Sequence, residues 1–141
     1  METPEDLTLL KQLFSCAHSL RMAQKYRGQS RLLILLLERG TMTQRELTEE
    51  TGRRPATLSE QLGNLEQAGL VLRAPNGSDR RNIDVTLTAA GLETARDAVF
   101  QRAKLARDVF SGYSRAERET ISRFLREIAA RLDESAERRG L

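Results

Sequence analysis

Residues with specialised chemistry are scarce in this sequence. Its 141 residues include one cysteine, one histidine and no tryptophan. A single cysteine excludes an internal disulfide framework and a cysteine-rich zinc site, and a single histidine excludes a multi-histidine metal site. A glycine-rich nucleotide loop and a convergent pair of carboxylates are also missing. We therefore expect neither an enzyme nor a bound cofactor or metal.

Long hydrophobic runs are missing as well. The longest, residues 32–37, is far too short to span a bilayer. The chain begins METPED, which is acidic where a secretion signal would be basic and then hydrophobic. Hydrophobic residues make up 39% of the chain and charged residues 30%, unlike a disordered tail or a membrane protein. These features predict a cytoplasmic protein with one compact fold and no independent second domain.

The net charge is mild, but the cations are unusual. Lysines and arginines number 23 and acids number 20, which leaves a net charge of +3. Only Lys11, Lys25 and Lys104 are lysines. The guanidinium fork of arginine suits phosphates and guanine edges, although a GC-rich genome would also favour arginine. The positions of the arginines must decide between these interpretations.

Apolar periodicity predicts two helices near the amino terminus. Residues 4–26 carry one helical stripe, and Thr3 followed by Pro4 is a typical start signal. Gly28 then interrupts the pattern. Residues 32–37 predict a shorter and more buried second helix.

The next segment predicts a helix-turn-helix. Thr43 and Glu46 form a capping box that opens a third helix, which ends at Gly52. Pro55 opens a fourth helix with leucines at 58, 62 and 65 on its buried face. The outer face is short-chained and able to form hydrogen bonds, as base reading in a major groove requires. Its residues are Ala56, Thr57, Glu60, Gln61 and Asn64.

Two alternatives stay open for this stretch. By pattern alone it could be an ordinary helical hairpin with a polar outside. Glu60 could accept a hydrogen bond from a cytosine amine, or it could be a solvated charge.

A β-hairpin, the only β-structure that we predict, follows the fourth helix. Residues 70–73 are short and apolar, and residues 81–87 alternate polar with apolar. An Asn76-Gly77 turn is expected to join them. Arg80 and Arg81 at the tip can reach phosphates or a minor groove, and a solvated loop with accidental charge is the alternative.

Two long helices complete the chain and leave surplus apolar surface. They begin after Thr88 and at Ser114, which forms a capping box with Glu117. Together with the first helix they carry more apolar surface than one small core can cover, which predicts a homodimer. The expected dimerisation residues are Leu7, Leu10, Phe14, Ile121, Phe124, Leu125 and Ile128.

Residues 29–91 resemble the core of the MarR family of bacterial transcription regulators. The resemblance rests on the Leu65-Glu66 pair before Gly69, on the Asp79-Arg80-Arg81 run, and on the closing LTAAG at residues 87–91. It implies a mainly α fold with a small β-hairpin wing: a winged helix-turn-helix with N- and C-terminal dimerisation helices. Residues 29–89 would be the DNA-binding lobe, and residues 1–28 with 90–141 the dimerisation region.

The resemblance also implies a function and a set of DNA contacts. The chain would be a sequence-specific regulator, most simply a repressor, that binds a palindromic operator in double-stranded DNA as a homodimer. A small-molecule effector is a further partner that the family allows, and whether this chain has one stays open. Asp79 and Arg81 match the D-x-R pair of the family's wing, in which the acid orients a DNA-contacting arginine. The expected DNA-binding set is Arg54, Ala56, Thr57, Glu60, Gln61, Asn64, Arg73, Asp79, Arg80 and Arg81.

This sequence departs from the family pattern in two places. Arg54 replaces the usual small residue before the recognition helix, and the link around Gly28 is short, so that an effector pocket does not follow from the resemblance. A helical protein-interaction adaptor that has lost DNA binding is the alternative function, although the intact arginine wing argues against it.

Cys16 raises a further alternative. Some relatives sense organic peroxides through an N-terminal cysteine near this place, helped by tyrosines. Here the tyrosines are Tyr26 and Tyr113, and a packed thiol on an apolar face is the simpler expectation. His18 has no acid cluster that would make it a metal ligand.

Overall fold

The computed structural model describes residues 4–24 and 29–140, in which we find six helices and one small sheet. The predicted class, mainly α with a winged helix-turn-helix, is confirmed. Two compact units divide the chain, residues 1–103 and 104–141, and α5 continues from the first into the second. The elements are α1 Pro4–Ala23, α2 Ser30–Arg39, β1 Met42–Thr43, α3 Gln44–Thr51, α4 Pro55–Gln67, β2 Val71–Pro75, β3 Ile83–Leu87, α5 Ala89–Phe110 and α6 Arg115–Arg138.

Local capping signals determine where several helices begin. The Thr43 hydroxyl accepts a hydrogen bond from the Glu46 backbone N–H at the start of α3. Ser114 and Glu117 exchange both bonds of a capping box at the start of α6, as predicted. Arg54 precedes Pro55 without a side-chain cap. The proposed signals at Thr3, Tyr26 and Gly28 lie outside the described residues.

The sheet has three strands rather than the two that the sequence predicted. The third strand is β1, whose Met42 and Thr43 pair antiparallel with Val85 and Asp84 of β3. The strand order is β1-β3-β2. The prediction of a lone hairpin was wrong because two residues are too few to show the period-2 alternation of a strand.

The hairpin turn also differs from the expected tight Asn-Gly turn. The last pair is Pro75 with Ile83, so that residues 76–82 form a longer loop. Gly77 does not have the positive φ that a two-residue turn requires. Instead the Asn76 side-chain oxygen accepts hydrogen bonds from the backbone N–H groups of Ser78 and Asp79. The loop is therefore built around an Asx turn.

One hydrophobic core lies in the first unit. The buried leucines of α4 pack with those of α2 and α3 and with strand residues, as the helical stripes predicted. Its buried members are Leu32, Leu33, Leu36, Met42, Leu47, Leu58, Leu62, Leu65, Val71, Val85 and Ala95. By contrast, α1 and α6 bury none of their own residues in the described chain.

Gly91 joins the hairpin to the start of α5. A Cβ at this position would lie 1.8 Å from the backbone oxygen of Leu70. The same oxygen accepts from the Thr88 backbone N–H at 3.0 Å, and the Gly91 N–H donates to the Thr88 hydroxyl at 3.0 Å. The position therefore requires glycine because two backbones approach each other closely.

We expect Gly91→Ala to lower the free energy of unfolding by about 1 to 3 kcal/mol, because the added methyl overpacks the Leu70 carbonyl. Denaturant unfolding at one fixed protein concentration measures the change. Gly63→Ala is the matched control, since its Cβ would lie 3.5 Å from an Arg73 nitrogen, an ordinary contact. Equal stability of the two variants would contradict this account of Gly91.

Candidate nucleic-acid interface

The recognition helix α4 exposes the face that the sequence predicted. Leu58, Leu62 and Leu65 are buried at 0–1% exposure. The opposite side carries the predicted base-reading residues: Ala56, Thr57, Glu60 and Asn64 are exposed, and Gln61 is half-buried. This face has short side chains that donate and accept hydrogen bonds without covering the helix backbone. Its chemistry suits the floor of a DNA major groove.

Positive charge concentrates at the amino end of α4. Arg54 is exposed there, and the half-buried Arg53 donates from Nη1 to Oε1 of Gln61 at 2.7 Å. Burial lowers the pKa of Arg53, and the nearby charge of Arg31 lowers it further. Arg31 itself donates to the backbone oxygen of Glu50 at 3.0 Å. The positive helix end and these guanidiniums together favour phosphate.

Arg31 and Arg53 were missing from the predicted site. The Arg53-Arg54 doublet before Pro55 is visible in the sequence and could have suggested Arg53. Arg31 carries no local signal, because only the packing of α2 near the end of α3 brings it close to Arg53.

The wing tip holds an oriented arginine. Arg81 donates from Nε to Oδ1 of Asp79 at 3.1 Å and from Nη2 to Oδ2 at 3.4 Å. Its backbone N–H also donates to Oδ1 at 3.1 Å. The Arg81 side chain is nevertheless 92% exposed. Asp79 therefore restricts the direction of a guanidinium that remains open to a ligand.

The contact with Arg81 changes the pKa of the Asp79 carboxylate. The hydrogen bond from the Arg81 side chain, followed by the one from its backbone N–H, lowers the pKa of Asp79. The neighbouring Arg80 is also exposed. The tip thus presents two arginines, one of which is held in place by a fixed negative charge.

The wing loop supports itself through its asparagines. The Asn76 amide nitrogen donates to Oδ1 of Asp84 at 2.9 Å, and the Asn76 backbone N–H donates to the backbone oxygen of Asn82 at 2.9 Å. The Asn82 backbone N–H in turn donates to the Asp79 backbone oxygen at 3.0 Å. The sequence placed Asn76 in the turn but did not predict these side-chain bonds, although asparagine in a turn is a recognisable Asx-turn signal.

Arg73 is the predicted site residue that lies apart from the exposed surface. Its side chain is 23% exposed and forms an ion pair with Glu66 at 3.2 Å. It also donates to Gln44 of α3 and to Ser59 of α4. The guanidinium is therefore engaged inside the lobe, between the wing and the two helices of the helix-turn-helix.

The remaining candidates lie on α1, outside the DNA-reading surface. Cys16 and His18 are both exposed, so that the thiol is not packed against its own chain within the described residues. Residues 4–24 and 29–140 contain no group of three or more side chains able to hold a metal ion. Within the same residues, no helix is long and apolar enough to cross a membrane.

Comparison with known proteins agrees with this architecture. Residues 26–83 match the model of the MarR family. The chain is 26% identical over 98 residues to the uncharacterized HTH-type transcriptional regulator YwhA of Bacillus subtilis, covering 70% of each protein. It also shares the fold of MepR from S. aureus, solved as a DNA complex, with a TM-score of 0.75 and 23% identity over 89% of this chain and 97% of that one.

A second solved structure with the same fold is that of BpsR from Bordetella bronchiseptica. The identity is 21%, the TM-score is 0.69, and the match covers 86% of this chain and 91% of that chain. The DNA binding of BpsR is regulated by 6-hydroxynicotinic acid.

The contact between Asp79 and Arg81 should be visible in the pKa of Asp79. Because its pKa is lowered in the folded chain, the Asp79–Arg81 contact is complete above the ordinary aspartate range and is lost as the pH falls through the lowered pKa. In a carboxyl-carbon NMR titration, Arg81→Ala should raise the Asp79 pKa toward its ordinary range. Arg80→Ala is the control. An equal rise in that variant would show a general charge effect rather than a specific contact.

Proposed function

We propose that this chain, whose residues 26–83 match the model of the MarR family, is a transcriptional regulator of that family and represses transcription by binding double-stranded DNA as a homodimer. The observation that carries the proposal is the pairing of Asp79 with Arg81 on a wing beside the polar face of α4. The side chains of this polar face and of the wing tip lie outside the hydrophobic core, yet each presents groups suited to DNA.

We propose that α4 enters the major groove. Thr57, Gln61 and Asn64 would then form hydrogen bonds with base edges, and the methyl of Ala56 would contact thymine. Glu60 would either accept from a cytosine amine or remain a solvated charge at the edge of the groove. Arg54 would contact phosphate at the helix end, where it fixes the register without reading sequence.

The wing supplies the second contact. Arg81 would reach the minor groove or the adjacent phosphates, with Asp79 fixing its direction and Arg80 adding a phosphate contact. Prior orientation reduces the side-chain freedom that is lost on binding.

The proposed dimer rests on apolar side chains that the single chain leaves in solvent. Exposure is 44% for Leu7, 43% for Leu10, 67% for Phe14, and 50% each for Phe124 and Leu125. Ile128 is exposed as well and Ile121 is half-buried. Within residues 104–141, an apolar groove of about 710 Å³ is lined by Phe110, Ile121 and Leu125. Covering these surfaces with a second copy would make residues 1–28 and 90–141 a dimerisation region around the lobe of residues 29–89.

A dimer presents two recognition helices to a two-fold operator. Half-sites one helical turn apart require a spacing of roughly 34 Å between the helices. A small-molecule effector, as in BpsR, would act by favouring another spacing. It can weaken DNA binding only by its own difference in affinity for the two states.

The direction in which Asp79→Ala changes DNA affinity tests the role of the wing. Asp79→Ala removes a negative charge near DNA, so that electrostatics alone predicts tighter binding, whereas loss of the orienting contact predicts weaker binding. The probe is a duplex that the wild-type protein selects from a random library. We expect Asp79→Ala to weaken binding. Arg81→Ala should cost about 1 to 3 kcal/mol if it reads a base, or lower the salt slope by about one if it contacts phosphate.

Glu93→Ala is the matched control, because it removes the same charge from an exposed position on α5. Tighter binding by folded Asp79→Ala would reject the orienting role. A wild-type protein that selects no duplex would favour a protein-interaction adaptor.

A further inference from the structure

Arg73 lies where the wing meets the recognition helix. It is the central residue of β2, paired with Val85 of β3, so that its backbone belongs to the wing. Its guanidinium extends over α4 against Ser59, Gly63 and Glu66. These residues are spaced i, i+4 and i+7 and therefore lie along one stripe of the helix.

Glu66 is held at both of its oxygens by Arg73. Oε2 accepts from the Arg73 backbone N–H at 3.2 Å, and Oε1 accepts from Nη2 at 3.2 Å. The first bond links the backbone of β2 to α4, and the second links the Arg73 side chain to the same Glu66 carboxylate. A charged and bidentate arrangement of this kind is stronger and more directional than a single neutral hydrogen bond.

The other terminal nitrogen of the Arg73 guanidinium, Nη1, forms hydrogen bonds with both helices of the helix-turn-helix. Nη1 donates to Oε1 of Gln44 at 3.3 Å and to the backbone oxygen and hydroxyl of Ser59 at 3.3 and 3.4 Å. Gly63 lies beside this group but is not required for it, since an added Cβ would lie 3.5 Å from Nη2, an ordinary contact. Arg73 therefore joins α3, α4 and β2 through one planar group.

We propose that Arg73 is a positioning residue that sets the wing relative to the recognition helix and does not itself contact DNA. The inference rests on the proposed DNA-binding function. We expect the fold to survive loss of this contact, because β2 and α4 also contribute Val71 and Leu65 to the same hydrophobic core. What depends on Arg73 is the direction in which the strands carry the loop of residues 76–82 from α4.

Replacing Arg73 with lysine separates the two roles. Lysine keeps the positive charge and would preserve a phosphate contact, but it cannot reproduce the arginine fork. With the selected duplex, we expect Arg73→Lys to bind about tenfold or more weakly. Arg96→Lys is the control, since Arg96 is an exposed arginine of α5 outside the proposed DNA-binding set, and this variant should bind nearly as the wild type does.

Glu66→Gln gives an independent test, based on the direction in which DNA affinity changes. It removes a negative charge from the lobe, yet we expect weaker DNA binding because Arg73 loses its charged partner. The effect of Arg81→Ala should also shrink in the Arg73→Lys background, since a displaced wing no longer places Arg81 on DNA. Wild-type affinity of Arg73→Lys, or tighter binding by Glu66→Gln, would overturn the proposal.

Hydrogen exchange without DNA distinguishes this inference from the proposed function. Arg73→Lys should speed exchange of backbone amides in residues 71–87 while α2 stays protected. If the wild type selects no duplex but exchange changes in this way, DNA binding fails and the link between wing and helix stands. Unchanged exchange in residues 71–87 would reject the link whatever the DNA result.

Discussion

Since a helix buries one stripe at a time, the packing of Leu58, Leu62 and Leu65 determines which side chains of α4 remain in solvent. These leucines pack in the same core as Leu47 of α3 and Val71 of β2. Their burial turns the short polar residues of α4 outward and brings the wing strands to its flank. Both halves of the proposed interface therefore depend on this one packing arrangement.

Several acidic residues of the lobe form ion pairs with arginines. Glu66 binds Arg73, Asp79 binds Arg81, and Glu50 binds Arg39. A net charge of +3 gives little overall attraction to DNA. We therefore expect the direction of individual guanidiniums to matter more than their number, and removal of an acid to weaken DNA binding rather than strengthen it.

Features set by neighbours in sequence were predictable, whereas features set by distant contacts were not. The Ser114–Glu117 capping box and the leucine stripe of α4 span a few residues each, and both were found. The role of Arg73 depends partly on Gln44, 29 positions away, and β1 exists only through pairing with β3. Sequence motifs marked Gly91 as part of LTAAG, but the close approach of the Leu70 carbonyl explains why glycine stands there.

The helices α1 and α6 are where the structure calls for a partner, because their exposed apolar residues are not covered within the described chain. We propose that a second copy covers them and thereby presents two α4 helices together. Sedimentation velocity at micromolar concentration tests this most directly, with Phe124→Ser as the variant expected to weaken assembly and Arg45→Ser as its surface control. We predict a particle of twice 15.9 kDa for the wild type. A wild-type chain that sediments as a 15.9 kDa monomer would contradict the account.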